Sequence, residues 1–417
     1  MTALDVFHDD ECVGTLHDTD PVSFTYAPAW LARPQAFPLS AIRLQPGPII
    51  SPEVLAFFEN LLPEGDLRVY LSQQRKASTL FALLREVAGD TVGAFVLLPQ
   101  GQSPQPAMYE PTTWANLADT IRKKSAAAIQ SQGDSTRISL AGAQDKAAIA
   151  IFDPDHETPL FPRGSAPSTH ILKPNIQRLH KVRESAANEA IIMRTAAHCG
   201  LRTAQVFYEP QTRACVVKRF DRFVREDGSL GRLIQYDFCQ LAGIASERKY
   251  EKEGGPGVVR CAEILRQYSS SPAPDLQAFV QWLFFNLYVG NNDSHAKNLS
   301  IYWRPEQGVR LTPFYDLMCT RVYPGLSKEF AFNVGGEVLP GQMGAAQMRG
   351  LAQQLGMGHA YLNKVARHLA DKIPAAIDKA VAELAPCLPP SGRTFAESKL
   401  TPEVKSTTRR MAARLCG

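Results

Sequence analysis

The stretch Val289–Met318, VGNNDSHAKNLSIYWRPEQGVRLTPFYDLM, has an uneven texture. It follows one of the most apolar runs in the chain, FVQWLFFNLYV at Phe279–Val289. Gly290 to Asn298 then hold one alanine and no large apolar side chain. Two short β-like segments come next, Leu299–Trp303 and Val309–Leu311. A folded chain needs a reason to crowd Asn291, Asn292, Asp293, His295, Lys297 and Asn298 between elements that read as buried.

Phosphoryl transfer supplies one. Asp293 and Asn298 stand as D-x-x-x-x-N, a carboxylate at one end of a tight loop and a carboxamide at the other. The carboxylate can accept a hydroxyl proton, and the amide oxygen can hold a hard cation. Protein kinases place their catalytic base and a magnesium-binding Asn at this spacing. One neutral amide cannot hold magnesium against the charge of ATP, so a second carboxylate must follow. Asp316, in Pro313-Phe314-Tyr315-Asp316-Leu317, supplies it after the expected hairpin. The plainer alternative makes Asn291, Asn292 and Asp293 turn formers and Asp316 a helix cap. A metal hydrolase built on Asp293 and His295 lacks a second histidine at ligand spacing.

A kinase also needs a lysine on a strand and a cradle for phosphates. Thr169-His170-Ile171-Leu172-Lys173 is an apolar β-like run ending in a cation. Glu189, on a helix expected over 184–199, is placed to pair with it; the bland readings are a surface strand end and an exposed helix residue. The cradle candidate is Arg137–Lys146, where Ala141, Gly142 and Ala143 would let backbone N–H groups approach an anion. It is neither a Walker motif nor the kinase G-x-G-x-x-G.

With 417 residues the chain exceeds what one core covers, so two or three packed subdomains are expected. No apolar run approaches the ~18 residues of a membrane span. The acidic start MTALDVFHDDE is unlike a signal peptide. None of the eight cysteines forms Cys-x-x-Cys, which argues against zinc knuckles and a disulfide framework. A reduced, cytoplasmic protein is the expectation. Net charge is +4, and Ser391–Gly417 carries it with six Lys or Arg against two Glu. The remainder is neutral, which is not the pattern of a wholly basic nucleic-acid binder. The basic stretch reads as a solvated C-terminal helix face, with contact to phosphates or an acidic partner as the other option.

Along the chain, Leu4–Phe7 and Cys12–Leu16 read as a hairpin, and Ser51-Pro52-Glu53 as a helix start. Gln100–Pro111 reads as a linker. Strands are expected at 147–152, 170–173 and 214–220, and helices over most of the chain from Gln235, including 351–385.

Taken in order, ISLAGAQDKAAI, THILKPN, ESAANEA, VVKRFDR, IQYDFCQLAG, KYEKEGGPG, NNDSHAKNLSIY and LTPFYDLM resemble the HipA serine/threonine kinases. These are the toxin halves of bacterial HipBA toxin–antitoxin modules. FFENLLPEG and AGDTVGAFVLLP resemble the N-terminal subdomain of long HipA proteins. The likeness spans about residues 1–375. It implies an α+β, two-lobed protein-kinase-like fold with a small N-terminal α+β subdomain and a mostly helical C-terminal lobe. The divisions expected are 1–105, 112–235, 236–385 and a basic tail, 386–417. Carried over by position, Asp293 would be the proton acceptor, and Asn298 and Asp316 the magnesium ligands. Lys173 would meet the ATP phosphates, and Ala141, Gly142, Ala143, Gln144, Asp145 and Lys146 would form the phosphate loop. Lys218, Arg219 and Phe220 would form the adenine-side connection, beginning with Lys218 where an acidic residue is usual. His295 and Tyr315 would join the nucleotide contacts, and Ser139 would match a regulatory autophosphorylated serine. The resemblance further implies ATP and Mg²⁺ as cofactors and a HipB-like helix-turn-helix antitoxin as partner. Operator DNA would be reached mainly through that antitoxin. The implied substrate is an aminoacyl-tRNA synthetase, glutamyl-tRNA synthetase the leading candidate, with stalled translation and dormancy as the outcome. Two rival readings stand beside it: a small-molecule or lipid kinase on the same fold, and a non-catalytic repressor partner.

Overall fold

A computed structural model describes residues 2–34, 36–64, 68, 69, 71–73, 76–87, 89–123, 146–177 and 179–417. The chain forms two compact units, one of residues 1–173 with 219–248, the other of 174–218 with 249–417.

The first unit opens with the expected hairpin. Strands β1 (Ala3–His8) and β2 (Glu11–His17) pair antiparallel, with Leu4 opposite Leu16 and Val6 opposite Gly14. They lie in a five-stranded sheet with β3 (Ser23–Tyr26), β4 (Pro48–Ile49) and β5 (Phe95–Pro99), ordered β4-β3-β2-β1-β5. Leu4, Val6 and Leu16 are fully buried, as alternation along a half-buried strand requires. Gly14 is the one residue that fits its place, since a Cβ there would sit 2.3 Å from the Thr25 carbonyl oxygen. Helix α1 (Pro52–Glu59) starts where the sequence places it, with Ser51 as N-cap accepting from the Val54 N–H. Its Phe57 and Phe58 meet Phe95 and Phe24 of the sheet at ring-centroid distances of 5.8 and 5.7 Å. Part of the expected linker is ordered instead: Met108–Pro111 pairs antiparallel with Leu160–Arg163, because its backbone groups find a strand partner. Further on, β6 (Ala147–Ile149) pairs antiparallel with β7 (His170–Pro174).

A buried ion network lies inside this unit. Asp90 accepts from Arg222 at 2.8 Å, Arg232 at 3.1 Å and the Ser168 hydroxyl at 2.7 Å. Asp221 accepts from Arg219 at 2.7 Å, Arg222 at 2.9 Å and the Gly93 N–H at 2.9 Å. Burial alone would raise both carboxyls, but the surrounding guanidiniums outweigh it. Asp90 is held well below the usual range and Asp221 falls to about 2. The network joins residues 90–93 to 219–232, which are far apart in sequence.

In the second unit, helix α2 (Ser185–His198) precedes a hairpin of β8 (Val206–Glu209) and β9 (Ala214–Lys218). The helical body follows, with α3 (Val258–Tyr268) and α4 (Pro272–Val289). The apolar run of the opening stretch is the second half of α4, and Trp282, Leu283, Phe284, Phe285, Tyr288 and Val289 are all fully buried. A helix apolar all round belongs at the centre of a unit. Strands β10 (Ser300–Arg304) and β11 (Gly308–Leu311) form the expected hairpin. Helices α5 (Ala345–Leu355), α6 (His359–Leu384) and α7 (Thr401–Leu415) complete it. Helix α7, within the stretch expected as a basic tail, is packed rather than free. Val404, Met411 and Leu415 are buried, and the Thr408 hydroxyl donates to the Tyr288 carbonyl of α4 at 3.2 Å. Its Arg409, Arg410 and Arg414 remain exposed. No helix among the described residues is long and apolar enough to cross a membrane.

Candidate active site

Helix α4 ends at Gly290, whose φ of +74° favours glycine, and a Cβ there would lie 2.9 Å from Cβ of Arg321. From that point the polar loop is satisfied from within. The Asn291 side chain donates to Asn286 at 2.8 Å, and the Ser294 hydroxyl to the Asn291 carbonyl at 3.2 Å. The Asn292 N–H donates to the Thr320 hydroxyl at 2.8 Å, and its side chain to the Ser327 carbonyl at 2.9 Å. Asn291 and Asn292 are therefore buried anchors, which agrees with their plainer reading as turn formers. Ser294, His295, Lys297 and Asn298 are buried too, while Asp293 is exposed. The loop spends its polar groups on holding one carboxylate out.

Three contacts fix what surrounds that carboxylate. The Asn298 side-chain N–H donates to the Asp293 carbonyl at 3.2 Å, closing the D-x-x-x-x-N loop and turning its amide oxygen the other way. The Tyr250 hydroxyl donates to Asp293 Oδ1, and the Tyr250 ring meets His295 edge-on at 5.2 Å. The Tyr315 hydroxyl donates to the Lys297 carbonyl at 2.8 Å and lies 2.7 Å from the Ser300 hydroxyl. That bond ties the segment carrying Asp316 to the loop. Asp316 adopts a φ of +59°, a left-handed conformation that costs a non-glycine residue energy and gathers at functional sites. It caps no helix. The segment after it is pinned by Asn188 of α2, whose side chain donates to the Cys319 carbonyl at 2.9 Å and accepts from the Cys319 N–H at 2.9 Å.

Asp293, His295, Asn298, Tyr315 and Asp316 thus come together in the second unit, which also holds Lys218, exposed at the end of β9. Lys146, Lys173, Arg219 and Phe220 belong to the first unit. Lys173 and Lys146 are buried, at 7% and 8% exposure, and Glu189 of α2 at 1%. A charge so far from water requires a charged or polar partner, so Lys173 stands at its strand's end but not at the surface, and the exposed-helix reading of Glu189 does not hold. The Arg219 guanidinium is taken up by the network around Asp90 and Asp221, and its N–H donates to the Thr169 carbonyl at 2.9 Å. Ser139, Ala141, Gly142, Ala143, Gln144 and Asp145 lie outside the described residues. Sequence reasoning missed Tyr250 and Asn188, although both lie in motifs it quoted, KYEKEGGPG and ESAANEA. An aromatic or an amide carries no sign of its role until its partner's position is known.

Comparison with known proteins gives consistent matches. Residues 138–379 match the HipA-like C-terminal domain and residues 4–98 the HipA N-terminal domain. The chain is 36% identical over 395 residues to the kinase-named protein Y4mE of Sinorhizobium fredii, covering 90% of this chain and 91% of that one. It is 30% identical over 385 residues to the serine/threonine-protein kinase toxin HipA of Shewanella oneidensis, covering 88% and 86%. The structure of Shewanella oneidensis HipA in complex with HipB and operator DNA superposes with a TM-score of 0.82 at 27% identity. That match covers 99% of this chain and 98% of that one.

Proposed function

The chain belongs to the HipA family, and on that premise we propose that it is a Mg-ATP-dependent protein serine/threonine kinase, the toxin of a toxin–antitoxin module. The observation that carries the reading is the exposed Asp293 carboxylate on an otherwise buried loop, closed by Asn298 and tied through Tyr315 to the segment of Asp316.

In the proposed reaction an acceptor serine or threonine hydroxyl attacks the γ-phosphorus of ATP. The new O–P bond forms as the bridging bond to ADP breaks, and the hydroxyl proton passes to Asp293. Tyr250 orients that carboxylate. Asn298 and Asp316 fit a magnesium site, because one offers an amide oxygen turned away from its own hydrogen bond and the other a carboxylate. The ion, when bound, would neutralise charge on the phosphates. Lys173 would meet those phosphates, held by Glu189, while Ala141–Lys146 wrap them. Lys218, Arg219 and Phe220 take the adenine side, with His295 and Tyr315 near the nucleotide.

The acceptor proposed is an aminoacyl-tRNA synthetase, glutamyl-tRNA synthetase first, whose modification would stall translation in the cytoplasm and induce dormancy. A HipB-like antitoxin is the proposed partner, with operator DNA reached through it; the Shewanella oneidensis complex supports that assignment. Autophosphorylation at Ser139 is the proposed brake. It would add about −1.5 to −2 charges beside the triphosphate and drive the phosphate loop outward. Labelled ATP incubated with enzyme and cell extract tests the main reading. A labelled protein band supports it, and label confined to lipid or small-molecule fractions overturns it in favour of the rival kinase class. Mixing inactive Asp293→Asn protein with active enzyme tests the brake, which is refuted if Ser139 of the inactive copy stays unlabelled.

A further inference from the structure

Beside Asp293 the second unit encloses a cavity of about 390 Å³. Its walls are mostly apolar, with Leu179, Val182, Met318, Leu326 and Phe330 facing one space, while Asp293 and Tyr250 stand on its edge. The residues proposed to handle the nucleotide and metal in this unit, His295, Asn298, Tyr315 and Asp316, do not line it. The cavity therefore includes the proposed base among its lining but neither of the proposed metal ligands. The same lining carries one ion pair, Lys252 donating to Glu329 at 2.8 Å, and two further carboxylates, Glu253 and Asp293. Leu179 is 47% exposed, a large aliphatic side chain facing water where an incoming apolar group would cover it. Asp293, the proposed proton acceptor, therefore borders a space walled largely by hydrocarbon.

We propose that this cavity is a specificity subsite that takes an aliphatic or aromatic side chain within two residues of the acceptor serine or threonine. The proposal rests on the kinase reading above and deepens it by naming the local chemistry of the substrate. With the acceptor hydroxyl at hydrogen-bond reach of Asp293, residues one or two positions away lie within roughly 4–7 Å of chain. That reach suffices to enter a cavity whose edge is Asp293 itself. Burying an apolar side chain there stabilises binding, whereas an acidic one would be desolvated against hydrocarbon. The chain's own candidate acceptor has the matching form, because Ser139 is flanked by Ile138 and Leu140.

The test is a positional-scanning library of serine- and threonine-containing peptides, labelled by the full chain with Mg-ATP. The result expected is selection of Leu, Ile, Met or Phe over Asp by roughly tenfold or more at one position within two of the acceptor. Leu326→Glu and Leu179→Glu, the second at an exposed site, should each flatten that selection while Mg-ATP affinity stays at the wild-type value. Flat labelling by the wild type, selection of charged neighbours, or selection that survives both substitutions would overturn the proposal. So would the absence of any peptide labelling by protein that still binds Mg-ATP. Failure to bind Mg-ATP at all would count instead against the kinase reading on which the subsite rests.

Discussion

Asp293 is exposed on a loop whose neighbours Asn291, Asn292, Ser294 and His295 are buried, so its replacement should alter chemistry and leave folding alone. Asp293→Asn keeps the shape and removes the proton acceptor, and the transfer rate should fall ~10²–10⁴-fold with nucleotide affinity nearly unchanged. Retention of more than a tenth of the wild-type rate would remove Asp293 from the role of base. Asp316 permits a cleaner replacement than alanine, because asparagine also tolerates its φ of +59°. Asp316→Asn should fold normally and lose much of the magnesium-dependent part of its ATP affinity, measured by calorimetry with and without the metal. Equal affinity in both proteins would place the metal elsewhere. At this scale the sequence was informative where spacing along the chain sets a local contact, as in the loop that Asn298 closes onto Asp293. It was silent on Tyr250, forty-three positions from Asp293, since only the fold brings that hydroxyl to the carboxylate.

Elements were legible where a local pattern decides them. The β1–β2 hairpin, the Ser51 cap, helix α2 and the β10–β11 hairpin all follow from alternation, capping or helical periodicity in their own residues. Long-range partners decided the rest: the strand at Met108–Pro111 forms because Leu160–Arg163 meets it, and α7 is held by α4 rather than trailing in water. Helix α2 shows how an element can position a site without touching the chemistry. Asn188 satisfies both main-chain groups of Cys319, three residues after Asp316. Asn188→Ala strands those groups in a buried place, at about 1–3 kcal/mol each, and frees the segment of Asp316 to drift. A lower unfolding midpoint together with weaker magnesium-dependent ATP binding is expected. Loss of stability with full metal-dependent affinity would make Asn188 a structural residue alone.

For the molecule as a whole, the network of Asp90 and Asp221 with Arg219, Arg222 and Arg232 ties residues 90–93 to residues 219–232 within the first unit. Its ionisation sets a pH window. Both carboxyls are depressed in the folded chain from a value of 3.8, so their contribution is fully present above about pH 4. It is lost as pH falls toward 2, where Asp221 takes up its proton. Unfolding followed against pH should show stability falling across that interval. Asp90→Asn should remove the Asp90 share above about pH 4, by about 3–5 kcal/mol, because the guanidiniums around it stay charged and lose their carboxylate. A midpoint unchanged by the substitution would deny the network its part in stability. The central claim, that this chain transfers phosphate to protein serine or threonine through Asp293, is tested most directly by phosphopeptide mass spectrometry. Wild type and Asp293→Asn would be expressed in a sensitive host and compared. The account predicts new phosphoserine or phosphothreonine sites with the wild type that are absent with Asp293→Asn; identical phosphopeptides in the two would contradict it.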